Sequence, residues 1–283
     1  MQYEDTFVGL IDSALINKQI EVLNAGRSSY SPIIYWRKIK YLIEDVGLQF
    51  DELVVYIDIS DAIDEAESYE LSDDLNVINR TSRTISQEPE SGDIRGYLRD
   101  IIFHNTTVIY RTIRSIFRVK WKFQRNFNTM RMEYSREVKL NFRANRWSVI
   151  VSPEYRIDKW TIDKNSYNTY GKDGVILMEK YMTKLIKLLR ERNIDLTIAV
   201  YPQPSQVWYE DLNSIQVNIW KKWSQENNVK FINYFPDFVA TGSSTTNKLK
   251  TLNKYYFRAD VHFNKKGNQV LAHRFINTYL NNK

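Results

Sequence analysis

Phe7, Leu10, Ile11, Ala14 and Leu15 recur at intervals of three and four, which predicts a helix over residues 4–18. A short apolar run, Ile20 to Asn24, predicts a strand ending at Ala25-Gly26. Ile33, Trp36, Ile39 and Ile43 predict a helix over 32–46, opened by Pro32 and closed by Gly47. Leu53 to Ile57 is continuously apolar, the pattern of a buried parallel strand. Residues 70–97 are polar and read as a loop, 98–118 as an amphipathic helix, and 119–170 leave the period undecided. A helix is predicted over 173–192, then a strand at Leu196–Tyr201 stopped by Pro202 and Pro204. A helix over 211–226, a strand at 230–235, a polar loop over 240–254 and a closing helix over 265–281 complete the pattern.

Strands alternating with helices imply βαβ units and a parallel sheet, hence an α/β domain. Residues 1–283 read as one domain carrying a basic helical insertion at 70–160. Composition narrows the chemistry. Cysteine is absent, which excludes disulfides, thiolate nucleophiles, iron–sulfur clusters and cysteine-based zinc sites. Three histidines, His104, His262 and His273, are too few for a multi-histidine metal site, so neither metal nor cofactor is expected. No run of about 18 apolar residues offers a membrane span. The first residues, Met1 to Asp5, lack the basic and apolar regions of a signal peptide, so the chain as written is cytoplasmic by default.

The net charge of +6 is unevenly placed. Residues 99–147 hold twelve Lys and Arg against Asp100, Glu133 and Glu137, so this segment carries +9 and the rest −3. Trp121, Phe123, Phe127 and Phe142 are interleaved with these cations. Such a stretch fits an anionic surface. It lacks the helix-turn-helix, RRM or zinc-finger patterns that would point to nucleic acid.

Functional groups of an open parallel sheet collect at the carboxyl ends of its strands. Three such ends are polar: Asn24 to Ser31, Asp58-Ile59-Ser60-Asp61, and Asp260-Val261-His262-Phe263-Asn264. Each alone has a plain structural reading as a turn, a helix cap, or a hydrogen-bonded histidine. Trp208, following Pro202 to Gln206 at a strand's end, is a candidate pocket wall, whereas Trp36, Trp220 and Trp223 read as packing and His104 and His273 as structural.

The ordered set of these blocks, closed by Asp260-Val261-His262-Phe263-Asn264-Lys265-Lys266-Gly267-Asn268, resembles the SGNH/GDSL hydrolase superfamily, and in particular bacterial members associated with surface polysaccharides. The resemblance also takes in Tyr3–Phe7, Leu53–Glu65 and Tyr201–Gln206. It implies a three-layer α/β/α fold with a mostly parallel sheet. It implies an ester hydrolase or O-acyl transferase acting on acylated carbohydrate or a similar small ester, with no cofactor. His262 then matches the general base, Asp260 its orienting carboxylate and Gly26 an oxyanion-hole amide. Ser60 stands where the family has an Asn, and Asp58 where it has a Gly.

The family's Gly-Asp-Ser nucleophile turn, with the first central strand, is missing from this sequence; it would fall just before Tyr3. The expectation is therefore an N-terminally truncated family member rather than a natural pseudoenzyme, without serine-esterase activity as the chain stands. A non-catalytic binding or scaffold protein of the same fold is the alternative. Relatives often carry an N-terminal membrane anchor and act outside the cytoplasm, which leaves location open.

Overall fold

The computed structural model describes residues 1–79, 147–152 and 159–281. Glu52–Ile57 (β1), Asp195–Val200 (β4) and Lys230–Asn233 (β5) form one parallel sheet in the order β1-β4-β5. Glu52 lies opposite Asp195 and Ile57 opposite Val200, while Thr197 to Val200 pair with Lys230 to Asn233. The six residues of β1 therefore match those of β4 one for one, and the two strands reach their carboxyl ends together. Leu196 to Val200 are all buried, as a central strand requires.

Helices Phe7–Leu15 (α1), Pro32–Glu44 (α2), Lys172–Arg190 (α3) and Ile215–Glu226 (α5) bury one face each. Pro32 sits in the first turn of α2, where its missing N–H costs nothing. A carboxylate from elsewhere caps the same turn: Glu65 Oε1 accepts from the Ile33 amide at 2.6 Å and from Ser31 Oγ at 3.0 Å. On α3, Gly174 lies so close to the turn after β1 that an added Cβ would stand 1.9 Å from the Ala62 carbonyl oxygen. Trp160, 1% exposed, donates its indole N–H to the Ile59 carbonyl at 2.9 Å. Glycine on one side and tryptophan on the other thus set the position of residues 58–62.

The long helices at 32–44, 172–190, 215–226 and 265–281 (α8) and the three paired strands agree with their apolar periodicity. Elsewhere the structure differs. Ile20–Asn24 forms no strand, and among the described residues β1 pairs only with β4. Ile20 and Val22 still pack against the core, so the segment keeps strand-like alternation without a partner ladder. The polar segment read as a loop from residue 70 begins with a small antiparallel hairpin, Tyr69–Leu71 (β2) and Val77–Asn79 (β3). Pro204 ends β4's extension but opens a helical turn, Pro204–Trp208 (α4), and a second turn, Phe235–Phe238 (α6), follows β5. The 240–254 segment holds a helix, Thr245–Tyr255 (α7), with Ser244 Oγ accepting from the Asn247 amide.

The 98–118 helix, His104 and all of the basic 99–147 stretch except Trp147 lie outside the described residues. At its far flank, Trp147, Val151 and Trp160 are buried in the core, so the packed body reaches back at least to Trp147. No described helix is long and apolar enough to cross a membrane.

Candidate active site

The Asp260–His262 pair forms a closed unit. Asp260 Oδ1 lies 2.5 Å from His262 Nδ1 and accepts from the His262 amide at 2.9 Å. The loop that holds it is short and well braced. Tyr256 and Phe263 bridge antiparallel, the Phe257 amide donates to the His262 carbonyl, and Ala259 adopts a left-handed φ of 53°. Neighbouring residues in extended chain point to opposite sides, so Phe263 turns inward where His262 turns outward. Phe263 stacks on Tyr256 with ring centroids 4.7 Å apart and packs on Phe238 at 4.8 Å. The imidazole itself stays 77% exposed.

This geometry fixes which ring nitrogen is free. With Nδ1 engaged by the carboxylate, Nε2 has no partner among the described residues. Partial burial raises the Asp260 carboxyl pKa, but hydrogen bonds from the His262 amide and ring, and the ring's charge, outweigh it and hold the carboxyl below the usual range. An ionised Asp260 favours a proton on Nδ1 and a basic lone pair on Nε2. That is the arrangement of a general base.

The residues after Asn264 serve the fold. Asn264 Oδ1 caps α8 by accepting from the Lys266 and Gly267 amides. A Cβ on Gly267 would stand 2.3 Å from the Tyr255 carbonyl oxygen. Asn268, 4% exposed, accepts from the Phe7 amide at 2.9 Å and donates to the Phe263 and Asn264 carbonyls. This side chain therefore ties the start of α1 to the loop that presents His262.

A second polar centre lies at the carboxyl ends of β1 and β4. Asp58 accepts four donors: the Ser60 amide at 2.7 Å, Ser60 Oγ at 2.6 Å, Gln203 Nε2 at 3.2 Å and the Tyr201 phenol at 2.7 Å. The Tyr201 ring also meets Phe263 edge-on at 5.7 Å. Tyr201 thus touches both the Asp58 block and the residue next to His262. Behind it, Gln206 is wholly buried; its amide reaches Ser214 Oγ at 3.1 Å and its oxygen accepts from the Gln203 amide at 3.0 Å. Gln216 donates to the Ile57 carbonyl at 3.2 Å.

The expected oxyanion donors are otherwise engaged. Both Ser60 donors are committed to Asp58. The Gly26 amide donates to Asn24 Oδ1 at 2.9 Å within its own loop, and Lys38 Nζ holds the adjoining Ala25 carbonyl at 2.7 Å. Among the described residues no hydrogen bond joins Gly26 or Ser60 to His262. Trp208 is half-buried on α4 with the Lys248 ammonium 5.9 Å from its ring centroid. A shallow cleft of about 400 Å³ opens beside it, lined by Thr161, Asp211 and Asn213 among others, but not by Trp208. His273 is exposed, and Trp36, Trp220 and Trp223 are buried. No group of three metal-ligating side chains occurs among the described residues.

Tyr35, whose hydroxyl lies 2.9 Å from Asp61 Oδ2, was not named from sequence, and Tyr201 and Gln203 entered only as part of the Tyr201–Gln206 block, without a role. The available signal was Tyr201-Pro202-Gln203, which puts a hydroxyl and an amide where β4 ends. Comparisons with protein-family models, with curated proteins and with solved structures return no match.

Proposed function

We propose that His262, oriented by Asp260, is the general base of an acyl-transfer site of the SGNH/GDSL type, acting on esters of carbohydrates or similar small alcohols. The observation that carries this reading is the Asp260–His262 contact, with Nδ1 bound and Nε2 open to solvent. Its place in the chain supports the reading further: Phe263, the residue after His262, packs on Tyr201, which follows the carboxyl end of parallel strand β4. In the proposed chemistry, which requires a serine that this sequence does not supply in a Gly-Asp-Ser turn, Nε2 removes the proton from that serine's hydroxyl, and the Asp260 carboxylate stabilises the imidazolium that results. The acyl group passes to the serine oxygen, the alcohol departs with the proton from Nε2, and water or a second alcohol then takes the acyl group. Among the described residues no hydroxyl is hydrogen-bonded to Nε2.

The test is labelling of the protein from its native host with a fluorophosphonate probe, followed by peptide mapping. A serine adduct that disappears in His262→Ala and Asp260→Asn is expected. An adduct that forms equally well in both variants refutes the role of the pair.

A second reading, a non-catalytic binding protein of the same fold, is favoured by one specific observation: the Ser60 and Gly26 donors are hydrogen-bonded within their own loops. Absence of any serine adduct on the native protein, with binding of an acylated glycan retained, selects this reading.

A further inference from the structure

We propose that Asp61 is a neutral acid in the folded protein, and that its proton closes a one-way relay from Asp61 to Tyr35 to the Tyr30 carbonyl. The relay latches the segment before α2 to the turn after β1. The inference does not depend on ester chemistry at His262.

It follows from counting hydrogens. The Tyr35 hydroxyl lies 2.9 Å from Asp61 Oδ2 and 3.1 Å from the Tyr30 carbonyl oxygen. A phenol carries one hydrogen, and a carbonyl carries none. If Asp61 were ionised, Tyr35 would face two acceptors and satisfy one. A proton on Asp61 Oδ2 satisfies both contacts: the acid donates to the phenol oxygen and the phenol donates to Tyr30. The other carboxyl oxygen agrees. Asp61 is 1% exposed, and its Oδ1 has no hydrogen-bond partner among the described residues. A buried anionic oxygen without a donor is far costlier than the carbonyl oxygen of a neutral acid. Asp58, three residues earlier, is by contrast satisfied by four donors.

The charged neighbours reinforce the assignment. Burial comes first in pushing the Asp61 carboxyl well above its usual range, followed by the charge of Asp58; the Tyr35 contact pulls the other way, and Asp64 and Glu65 add smaller upward contributions. Tyr35 comes from α2 and Tyr201 from the end of β4. The Tyr167–Gly171 turn brings tyrosines but no charged group, and α3 meets this turn through Gly174, whose neighbours Lys172 and Asp173 are exposed. No cation among these faces Asp61. The latched segment is held at further points: Tyr69 donates to the Ser29 carbonyl at 2.6 Å, and Glu65 receives Ser31 and Ile33. When Asp61 loses its proton to water, Tyr35 turns its hydrogen to the new anion and the Tyr30 carbonyl is released. The segment carrying Gly26 then loosens as pH rises.

The test is carboxyl-carbon NMR of the full chain, with each carboxyl assigned through its own Cβ, alongside amide exchange. The Asp61 carboxyl carbon is expected at its protonated shift at neutral pH. Tyr35→Phe is expected to raise exchange of the Ile33, Ile34 and Tyr35 amides, which donate to Glu65 and to the Ser31 carbonyl, about tenfold, the effect of losing one hydrogen bond. Asp61→Asn, a neutral isostere, is expected to keep the slow exchange and remove its pH dependence. An ionised Asp61 at neutral pH overturns the proposal on the unmodified protein, so it does not depend on either variant folding. Unchanged exchange in Tyr35→Phe overturns the latch.

Discussion

Tyr201 donates to Asp58 Oδ2 at 2.7 Å, joining the residue that follows β4 to the residue that follows β1. The two strands are direct neighbours in register, so the bond continues their ladder by one side-chain rung. It also sets the ring of Tyr201 against Phe263, and through it the loop of the imidazole.

Replacing Tyr201 with Phe keeps the ring contact and removes the rung. Asp58 retains three donors, so the fold should survive with a loss of about 0.5–1.5 kcal/mol, the net contribution of one hydrogen bond. Urea unfolding of the variant measures it. A loss below a few tenths of a kcal/mol would show that the phenol adds nothing to the site.

Asn268 is the clearest case of a motif residue with a structural task. Asn268→Ala removes an acceptor for the Phe7 amide and donors for the Phe263 and Asn264 carbonyls. A cost of about 1–3 kcal/mol is expected, because buried groups are left unpaired. Amide exchange should quicken at the start of α1 and in the 256–263 loop together. Faster exchange in only one of them contradicts the tie.

Two carboxyls shape the pH dependence of stability in opposite senses. Asp260 has a folded pKa below its ordinary 3.8, so its contribution is complete above that value and disappears as pH falls through the folded pKa. Asp61 has a folded pKa well above 3.8, so its contribution is complete below 3.8 and is lost as pH rises toward the folded pKa. Asp64, Asp211 and Asp237 are also raised by burial and add to the second slope. Urea midpoints across the acid-to-neutral range should therefore fall less steeply with rising pH in Asp61→Asn. Asp260→Asn should alter only the acid limb. Parallel curves for Asp61→Asn and the unmodified chain contradict the assignment.

The legible parts of the fold were those where one element's own residues decide the outcome. The stripe of Met178, Met182, Leu185 and Leu189 specifies α3, and the run from Leu196 to Val200 specifies β4. The failures involve partners that sequence does not reveal. Ile20–Asn24 has the alternation of a strand, but a strand needs a ladder, and none of the described strands pairs with it. In α7 the apolar stripe is only Leu249 and Leu252 among polar residues, and its start rests on the Ser244 cap, so it read as loop. At the site, Asp260 and His262 were singled out through the family resemblance of their block, and lying two residues apart in one loop lets them touch. The contacts of Tyr35, Tyr201 and Gln203 were not legible, because they reach Asp58 and Asp61 from elements 26 to 145 residues away.

The state of the His262 ring is the most direct test of the proposed base. Long-range proton–nitrogen correlation on the full chain, at a pH where the imidazole is neutral, distinguishes the two tautomers. A protonated Nδ1 and a bare Nε2 are expected, with Asp260→Asn weakening that preference. A neutral ring protonated on Nε2 in the unmodified chain would contradict it, because no basic nitrogen would then face an attacking hydroxyl.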